Sequence, residues 1–518
     1  MSTNASGRIQ RGRACLPCHL RKKKCDGEQP SCSGCVRSHI QCEYAPTSTA
    51  PDTAPTGQSR IQTLQTRVQE LETVLNNMSV HTSQPSSQAS TPSSPLIDPN
   101  SGEVADWLQD ILRPTVIANR RYYNLYLDIA TLRSPPRPLL HAMNLVACHI
   151  LSLSANSDTR PTLQELEELK CALLKRIHSG VHMSLEGARD LIAGVVCAPA
   201  LAAQYLLQVG KFAEAHWLVS SAIRFAVSCG LHTIAAHRWA NDSDSGSPGS
   251  TSSGSGSTFL VPAGSIREHY DRCMSWWLAF ASNEMVEIAT KLPSALRPEL
   301  RACIGDTESG LERARGVITS FPLTEDSYER NSPQLDTIGL NIGELLLGSR
   351  SITQDSSMNS IFAMRLKSMS FFGVAALLYD DSRTSQSLGG DIFQRVDQSI
   401  SRFIERLPSL SYQESISPTD NGPTNPSMIV VYMLAYSAKI RLLDANIIPN
   451  SSQDRLAAAL SMGHLAAAFN TIPHFSMTPL VIRCCSEALN IISPPNSDHD
   501  MELPEASALR LLIDSLDC

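Results

Sequence analysis

Six of the fifteen cysteines fall between residues 15 and 42, in CLPCHLRKKKCDGEQPSCSGCVRSHIQC, with the spacing C-x2-C-x6-C-x6-C-x2-C-x6-C. Two copies of C-x2-C-x6-C are thus joined by a six-residue loop: Cys15, Cys18 and Cys25, then Cys32, Cys35 and Cys42. A C-x2-C pair lets two thiolates at the start of a helical turn converge on one tetrahedral zinc, and the later cysteine closes the site from the end of a short helix. Two tetrahedral zincs need eight ligand positions, so with six thiolates either two cysteines bridge both metals or other residues join. The approximate internal two-fold makes Cys15 and Cys32 the natural bridges. A disulfide knot is the alternative, but the N-terminal MSTNASGRIQRGR has no apolar core of signal-peptide length, and a reducing compartment is expected. An all-thiolate, closed site leaves no coordination position for catalysis, so both zincs are expected to be structural. So small a unit has little apolar core, and metal binding should supply most of its folding free energy, roughly 10 kcal/mol or more per zinc.

With 518 residues, 42% of them hydrophobic, the chain has material for two to four structural units. A disordered, collagenous or disulfide-scaffold protein is excluded. The net charge of −7 makes a poor nucleic-acid binder until the charge is located. In residues 1 to 45 eight basic residues face three acidic ones, which leaves +5 there and −12 on the remainder. The run Arg21-Lys22-Lys23-Lys24 sits between the second and third cysteines. A short helix beginning near Cys18 would project Arg21, Lys22 and Lys24 away from the metal core, toward phosphates and base edges of a major groove. Taken alone, the run reads as a solvated face or a nuclear import signal.

The segment resembles the DNA-binding domain of the fungal zinc binuclear cluster transcription regulators. The six cysteines, the basic run, the Cys25-Asp26-Gly27 step and Pro30 two residues before Cys32 carry the resemblance. It implies one zinc on Cys15, Cys18, Cys25 and Cys32 and a second on Cys32, Cys35, Cys42 and Cys15. It also implies that Lys22 reads a CGG-type half-site in double-stranded DNA while Arg21 and Lys24 hold the backbone. His19 stands where the family commonly has arginine, a change at a phosphate contact and not at the metal.

Residues 1–14 form a basic tail before the 15–42 module. Residues 43–59, with three prolines and four threonines, read as a linker. Residues 60–80 hold a heptad pattern, with Ile61, Val68 and Leu75 at a positions and Leu64, Leu71 and Met78 at d. Arg67 at g and Glu72 at the following e suit a parallel two-stranded coil, and hence a homodimer; a single amphipathic helix docked on its own chain is the alternative. Residues 81–104 are Ser/Pro-rich and read as a disordered linker.

From 105 to 518, Leu/Ala-rich segments of helical periodicity predict a large all-α regulatory domain, interrupted by the low-complexity stretch 241–258. The uncharged stretch Leu191 to Gly210 is about long enough to span a bilayer, but Pro199, Gln204 and Tyr205 favour two buried core helices meeting at the proline. Two helices are expected to turn at Gly210 and stop at Gly230, with Trp217, Leu218, Ala222, Ile223, Phe225 and Ala226 as an apolar face. This region resembles the fungal-specific transcription factor (middle homology) domain, through Ala222-Ile223-Arg224-Phe225-Ala226 with Gly230-Leu231-His232, and Trp276-Trp277-Leu278-Ala279-Phe280 after Arg272. Asn283 stands where an aspartate is usual, and Lys291-Leu292-Pro293 replaces Gly-Arg-Pro. The tryptophans are expected in the core, the nine remaining cysteines as buried thiols, and His232 at a helix end. Residues 498–518 mix six acidic residues with Leu and Ile, and read equally as a transactivation segment or the last helix.

No nucleophile elbow, His-Glu-x-x-His, Walker loop or dinucleotide fingerprint is present, so the chain is not expected to be an enzyme. The reading is a nuclear, zinc-dependent transcription regulator binding CGG-type sites as a dimer, without a membrane, and contacting the transcription machinery. An activator of a metabolic or secondary-metabolite gene cluster is favoured over a repressor or general metabolic regulator. A zinc module that docks RNA or protein is the remaining alternative.

Overall fold

A chain rich in Leu and Ala, with few alternating β-branched stretches, buries its apolar surface most readily as helices packed side by side. Among the described residues every regular element is helical, apart from one antiparallel bridge between Ile97 and Val104. The computed structural model describes Cys15, Cys18, Cys25, 31–38, 41–42, 96–97, 103–154, 161–187, 190–234, 260, 263–304, 316–323, 340–347, 355–384, 390–411, 425–445, 447–448, 451–468, 478–493 and 503–516. The chain divides into two units, Met1–Ser93 and Ser94–Cys518.

In the first unit the one described helix is α1, Ser33–Arg37, and the buried apolar cluster consists of five cysteines with Cys42 against it. The second unit contains α2 Asp106–Asn119, α3 Ile129–Arg133, α4 Arg137–Ser154, α5 Leu163–Gly187, α6 Ala198–Gln208, α7 Phe212–Ser228, α8 Ile266–Thr290, α9 Arg297–Ile304, α10 Ile342–Leu347, α11 Ile361–Arg383, α12 Gly390–Arg406, α13 Pro426–Leu443, α14 Ser451–Ala468, α15 Thr478–Ile492 and α16 Pro504–Leu516. One apolar cluster runs through all of it.

Local chemistry sets several boundaries. Ser265 caps α8 by accepting from the Glu268 N–H (3.1 Å), and Glu268 reaches back to the Gly264 N–H (2.7 Å), a reciprocal pair that orders the first turn. The same helix ends at Lys291, which takes a left-handed φ of 60°, with Pro293 just beyond. α11 is apolar all round and lies along α13, where the Ser368 hydroxyl donates to the Val431 carbonyl (3.0 Å). Two cations are buried on it: Lys367 donates to Asp355 and to the Ser357 hydroxyl (2.6 Å), and Arg365 to Asn124 Oδ1 (2.5 Å) and the Arg121 carbonyl (3.1 Å). α11 and α13 are long and apolar enough to cross a membrane, yet α11 is covered by other helices along its apolar stretch and α13 along two thirds of its own.

Trp276 and Trp277 are core side chains: Trp277 stacks on Phe321 (centroids 4.9 Å apart) and donates its indole N–H to the Ser320 carbonyl (2.9 Å). Gly210 and Gly230, both with φ of 73°, mark the turns around α7. His232 lies in a 3-10 turn just after α7, where its carbonyl accepts from the Ile318 and Thr319 N–H groups. α16 packs Ala506, Leu509 and Leu512 inward, so residues 504–516 form a docked last helix.

Four expectations are corrected. Trp217 does not share the apolar face of α7: it is 62% exposed and lies against His178 of α5 (centroids 6.0 Å apart), because it stands one residue round the helix from buried Leu218. Cys171 is exposed, on the opposite side of α5 from Leu169, Leu173 and Ile177. The stretch 191–210 is not two helices meeting at Pro199. A π-helical turn, Ile192–Cys197, runs straight into α6, and Pro199 lies just past that widened turn in one continuous helix. Finally, Leu96, Ile97 and Val104 fall in the stretch expected to be disordered, yet they pack on the helical core, their apolar side chains having surface to cover.

Candidate metal centre

The backbone brings the sulfurs together in two steps. Cys32 is the N-cap of α1, and its sulfur accepts from the Cys35 N–H (3.4 Å), so the C-x2-C spacing places both thiols at the first turn. Cys18 also has helical backbone, in the corresponding place of the first copy. Cys42 returns to the same helix end, where its sulfur accepts from the Cys32 N–H (3.3 Å).

Sulfur separations then follow: Cys15–Cys32, Cys15–Cys35 and Cys18–Cys32 at 3.6 Å, Cys25–Cys15 at 3.8 Å and Cys18–Cys35 at 3.9 Å. A tetrahedral zinc with Zn–S bonds of about 2.3 Å has sulfur–sulfur edges of about 3.8 Å, whereas a disulfide would require about 2.0 Å. The spacings therefore fit thiolates around a metal, and the cysteines are free of disulfides. Cys15, Cys18, Cys32 and Cys35 form the tightest group, every sulfur within 4.8 Å of the others. Cys42 interacts with the sulfurs of Cys15, Cys32 and Cys35. Cys15, Cys18, Cys32 and Cys35 each approach a sulfur of the other half.

Electrostatics explains why such a group requires a cation. Burial pushes the Cys15 and Cys35 thiols up; most neighbouring thiols add to this, while the Cys18 N–H acts against it at Cys15 and the Cys15 thiol at Cys35. Cys32 moves down: burial opposes its thiolate, but the Cys35 N–H and then the Cys35, Cys15 and Cys18 thiols outweigh it. The Cys32 N–H lowers Cys42 most. Each thiolate is held by hydrogen bonds that its neighbours must supply as thiols, so the group cannot ionise together without positive charge among the sulfurs.

The residues expected to meet DNA, His19, Arg21, Lys22, Lys23 and Lys24, lie outside the described residues. So do the heptad positions Ile61, Leu64, Val68, Leu71, Leu75 and Met78, the stretch 43–59, the insertion 241–258 and Cys518.

Residues 13–51 match the fungal Zn(2)-Cys(6) binuclear cluster domain family. The transcription factor kojR of Aspergillus flavus is 50% identical over 50 residues, 9% of this chain and 9% of that protein. The transcription factor FBD3 of Gibberella moniliformis is 46% identical over 48 residues, 9% of this chain and 6% of that protein. The Zn(2)-C6 fungal-type transcription factor FTF1c of Fusarium oxysporum f. sp. lycopersici is 49% identical over 35 residues, 7% of this chain and 4% of that protein. The likeness thus spans less than a tenth of each relative's length. No solved structure matches the chain.

Proposed function

We propose that the chain is a zinc-dependent, sequence-specific DNA-binding transcription regulator that acts in the nucleus. The single observation behind this reading is the knot of sulfurs at zinc-thiolate spacing within a segment that matches the zinc cluster family. Two structural zincs are held, one by Cys15, Cys18, Cys25 and Cys32 and one by Cys32, Cys35, Cys42 and Cys15. The internal two-fold of the cysteine spacing, in which Cys15 and Cys32 open the two halves, supports their bridging role. A second reading, one ion on Cys15, Cys18, Cys32 and Cys35, is favoured by the mutual approach of those four sulfurs, and metal-to-protein stoichiometry separates the two.

The zincs fix the backbone that carries Arg21, Lys22, Lys23 and Lys24 into the major groove, with Lys22 reading a CGG-type half-site. His19 contacts the phosphate backbone. The heptads of residues 60–80 pair two copies, and the helical unit is the regulatory domain, of the middle homology type. Activation of a metabolic or secondary-metabolite gene cluster is the preferred role. The names of the relatives, each a transcription factor, support the regulatory reading.

Selection of binding sites from random duplexes, followed by titration of variants on the winning site, tests this. Lys22→Ala should lose about 1–3 kcal/mol on the selected site and little on scrambled DNA, whereas Lys24→Ala weakens both and flattens the salt dependence. Equal losses of Lys22→Ala on both duplexes would remove its base-reading role. No preference of the native protein for any duplex would turn the assignment toward RNA or protein docking.

A further inference from the structure

Glu284 and Glu287 lie one turn apart on α8, inside the helical unit; Glu284 is 0% exposed and Glu287 8%. The Asn283 amide donates to Glu284 Oε1 (3.0 Å) and to the Ser294 hydroxyl (2.8 Å), and that hydroxyl stands 3.4 Å from the same carboxyl oxygen. The second oxygen of each glutamate, Oε2, has no hydrogen-bond partner. Glu284 Oε2 points at the backbone of α11 at Gly373, where a Cβ would stand 2.4 Å from it. Only glycine lets the carboxyl lie so close to that helix.

The charged groups that act on the pair come from α9, α11 and α13: Arg297, Asp380 and Arg441. Arg297 is ion-paired with Asp380, Arg441 lies over the Tyr379 ring (4.2 Å to its centroid), and in the next turn Arg301 is ion-paired with Asp381. Of the two arginines near the glutamates, Arg297 is thus engaged by a carboxylate and Arg441 by an aromatic ring, each keeping a buried Nε without an acceptor. Burial, and then the charge of Glu287, pushes Glu284 well above the usual carboxylate range. Burial, against Ser294 and Arg297, pushes Glu287 up to about 7.

We propose that Glu284 and Glu287 form a proton-operated latch at the junction of α8, α9, α11 and α13, closed while both carboxyls hold protons and loosened when Glu287 ionises. The helical unit then responds to the pH around it. A second negative charge beside Glu284 is relieved only by admitting water or by drawing Arg297 or Arg441 from its partner on α11, and the latter movement loosens α9 or α13 from α11. A carboxyl whose folded-state pKa is raised stabilises the fold fully below its ordinary pKa and loses that contribution as pH rises through the folded value, here about 7. The latch belongs to the helical unit and stands or falls independently of the DNA-binding assignment.

Hydrogen exchange of the full-length chain at about pH 6 and about pH 8, corrected for intrinsic exchange rates, tests it. Protection across residues 284–304 should fall as pH rises, by up to about tenfold per unit below the Glu287 midpoint near 7, and level off above it. Glu287→Gln, a neutral mimic of the protonated acid, should stay protected at both values. Equal protection of the native chain at both values, or an unchanged response in Glu287→Gln, would overturn the latch. Should that variant not fold, infrared titration of the native chain decides: a protonated-carboxyl band that disappears near neutrality supports the latch, and its absence throughout refutes it.

Discussion

In the N-terminal unit the buried side chains of the apolar cluster are all cysteines, whereas in the helical unit a single core runs from Val104 to Leu512 and is built of Leu, Ala, Met and aromatic side chains. The two regions solve the problem of chain entropy differently. The small one has too little apolar surface to order itself and depends on bonds from sulfur to metal. The large one depends on area removed from water, supplemented by a few buried polar links such as Lys367 with Asp355. One region should therefore fail all at once when a ligand is lost, and the other by degrees as core volume is lost.

Chelation is the sharpest way to break this contrast. Removing zinc should unfold the cysteine module, at a loss of roughly 10 kcal/mol or more per ion, and make its six thiols react rapidly with a disulfide reagent. The helical circular dichroism signal should stay. Simultaneous loss of the helical signal would show that the two regions do not draw on separate sources of stability.

Trp277→Ala is the complementary test. It empties a fully buried site, removes the bond to Ser320 and unstacks Phe321, and should cost about 3–5 kcal/mol in denaturant unfolding of the helical unit. Zinc content should be unchanged. A loss below about 1 kcal/mol would mean that the core repacks around the gap.

A smaller effect separates the two regions by pH. Burial, and then the charge of Lys170, lowers His149 to about 4, so the fold holds the neutral ring. Its contribution is whole above the ordinary histidine pKa of 6.5 and is lost as pH falls toward 4, at most about 3 kcal/mol. His149→Gln should flatten the acid limb of helical-unit stability over that interval, measured by thermal unfolding, and leave in place the opposite loss, as pH rises toward 7, that Glu287 sets. The metal centre also fails in acid, because its thiolates take up protons, and His149→Gln should leave that transition unmoved.

Much of the candidate site was legible because metal ligation is a local constraint. The pairs Cys15/Cys18 and Cys32/Cys35 are set by one helical turn, and the duplicated spacing alone marks these four cysteines, with Cys25 and Cys42, as a metal-ligand set. The helical class and the turns at Gly210 and Gly230 were legible for the same reason, since periodicity and a positive φ are properties of a few neighbouring residues. Trp217 was misread because which side of α7 meets its neighbours depends on α5 and α6. The π-helical turn before Pro199 was not legible either; there Gly194 faces Ser184 so closely that a Cβ would stand 2.1 Å from its hydroxyl.

The sequence by itself determined the chemistry of the N-terminal unit, the helical class of the rest and the breaks between them, because each follows from residue types at short spacing. Only the tertiary structure decided that Glu284 is sealed beneath Gly373 with Glu287 buried one turn away, that Trp217 faces outward and that the last helix docks through Ala506, Leu509 and Leu512. Burial belongs to no residue alone. It is conferred by segments distant in the chain, and it turns an ordinary pair of glutamates into two acids without room for a second charge.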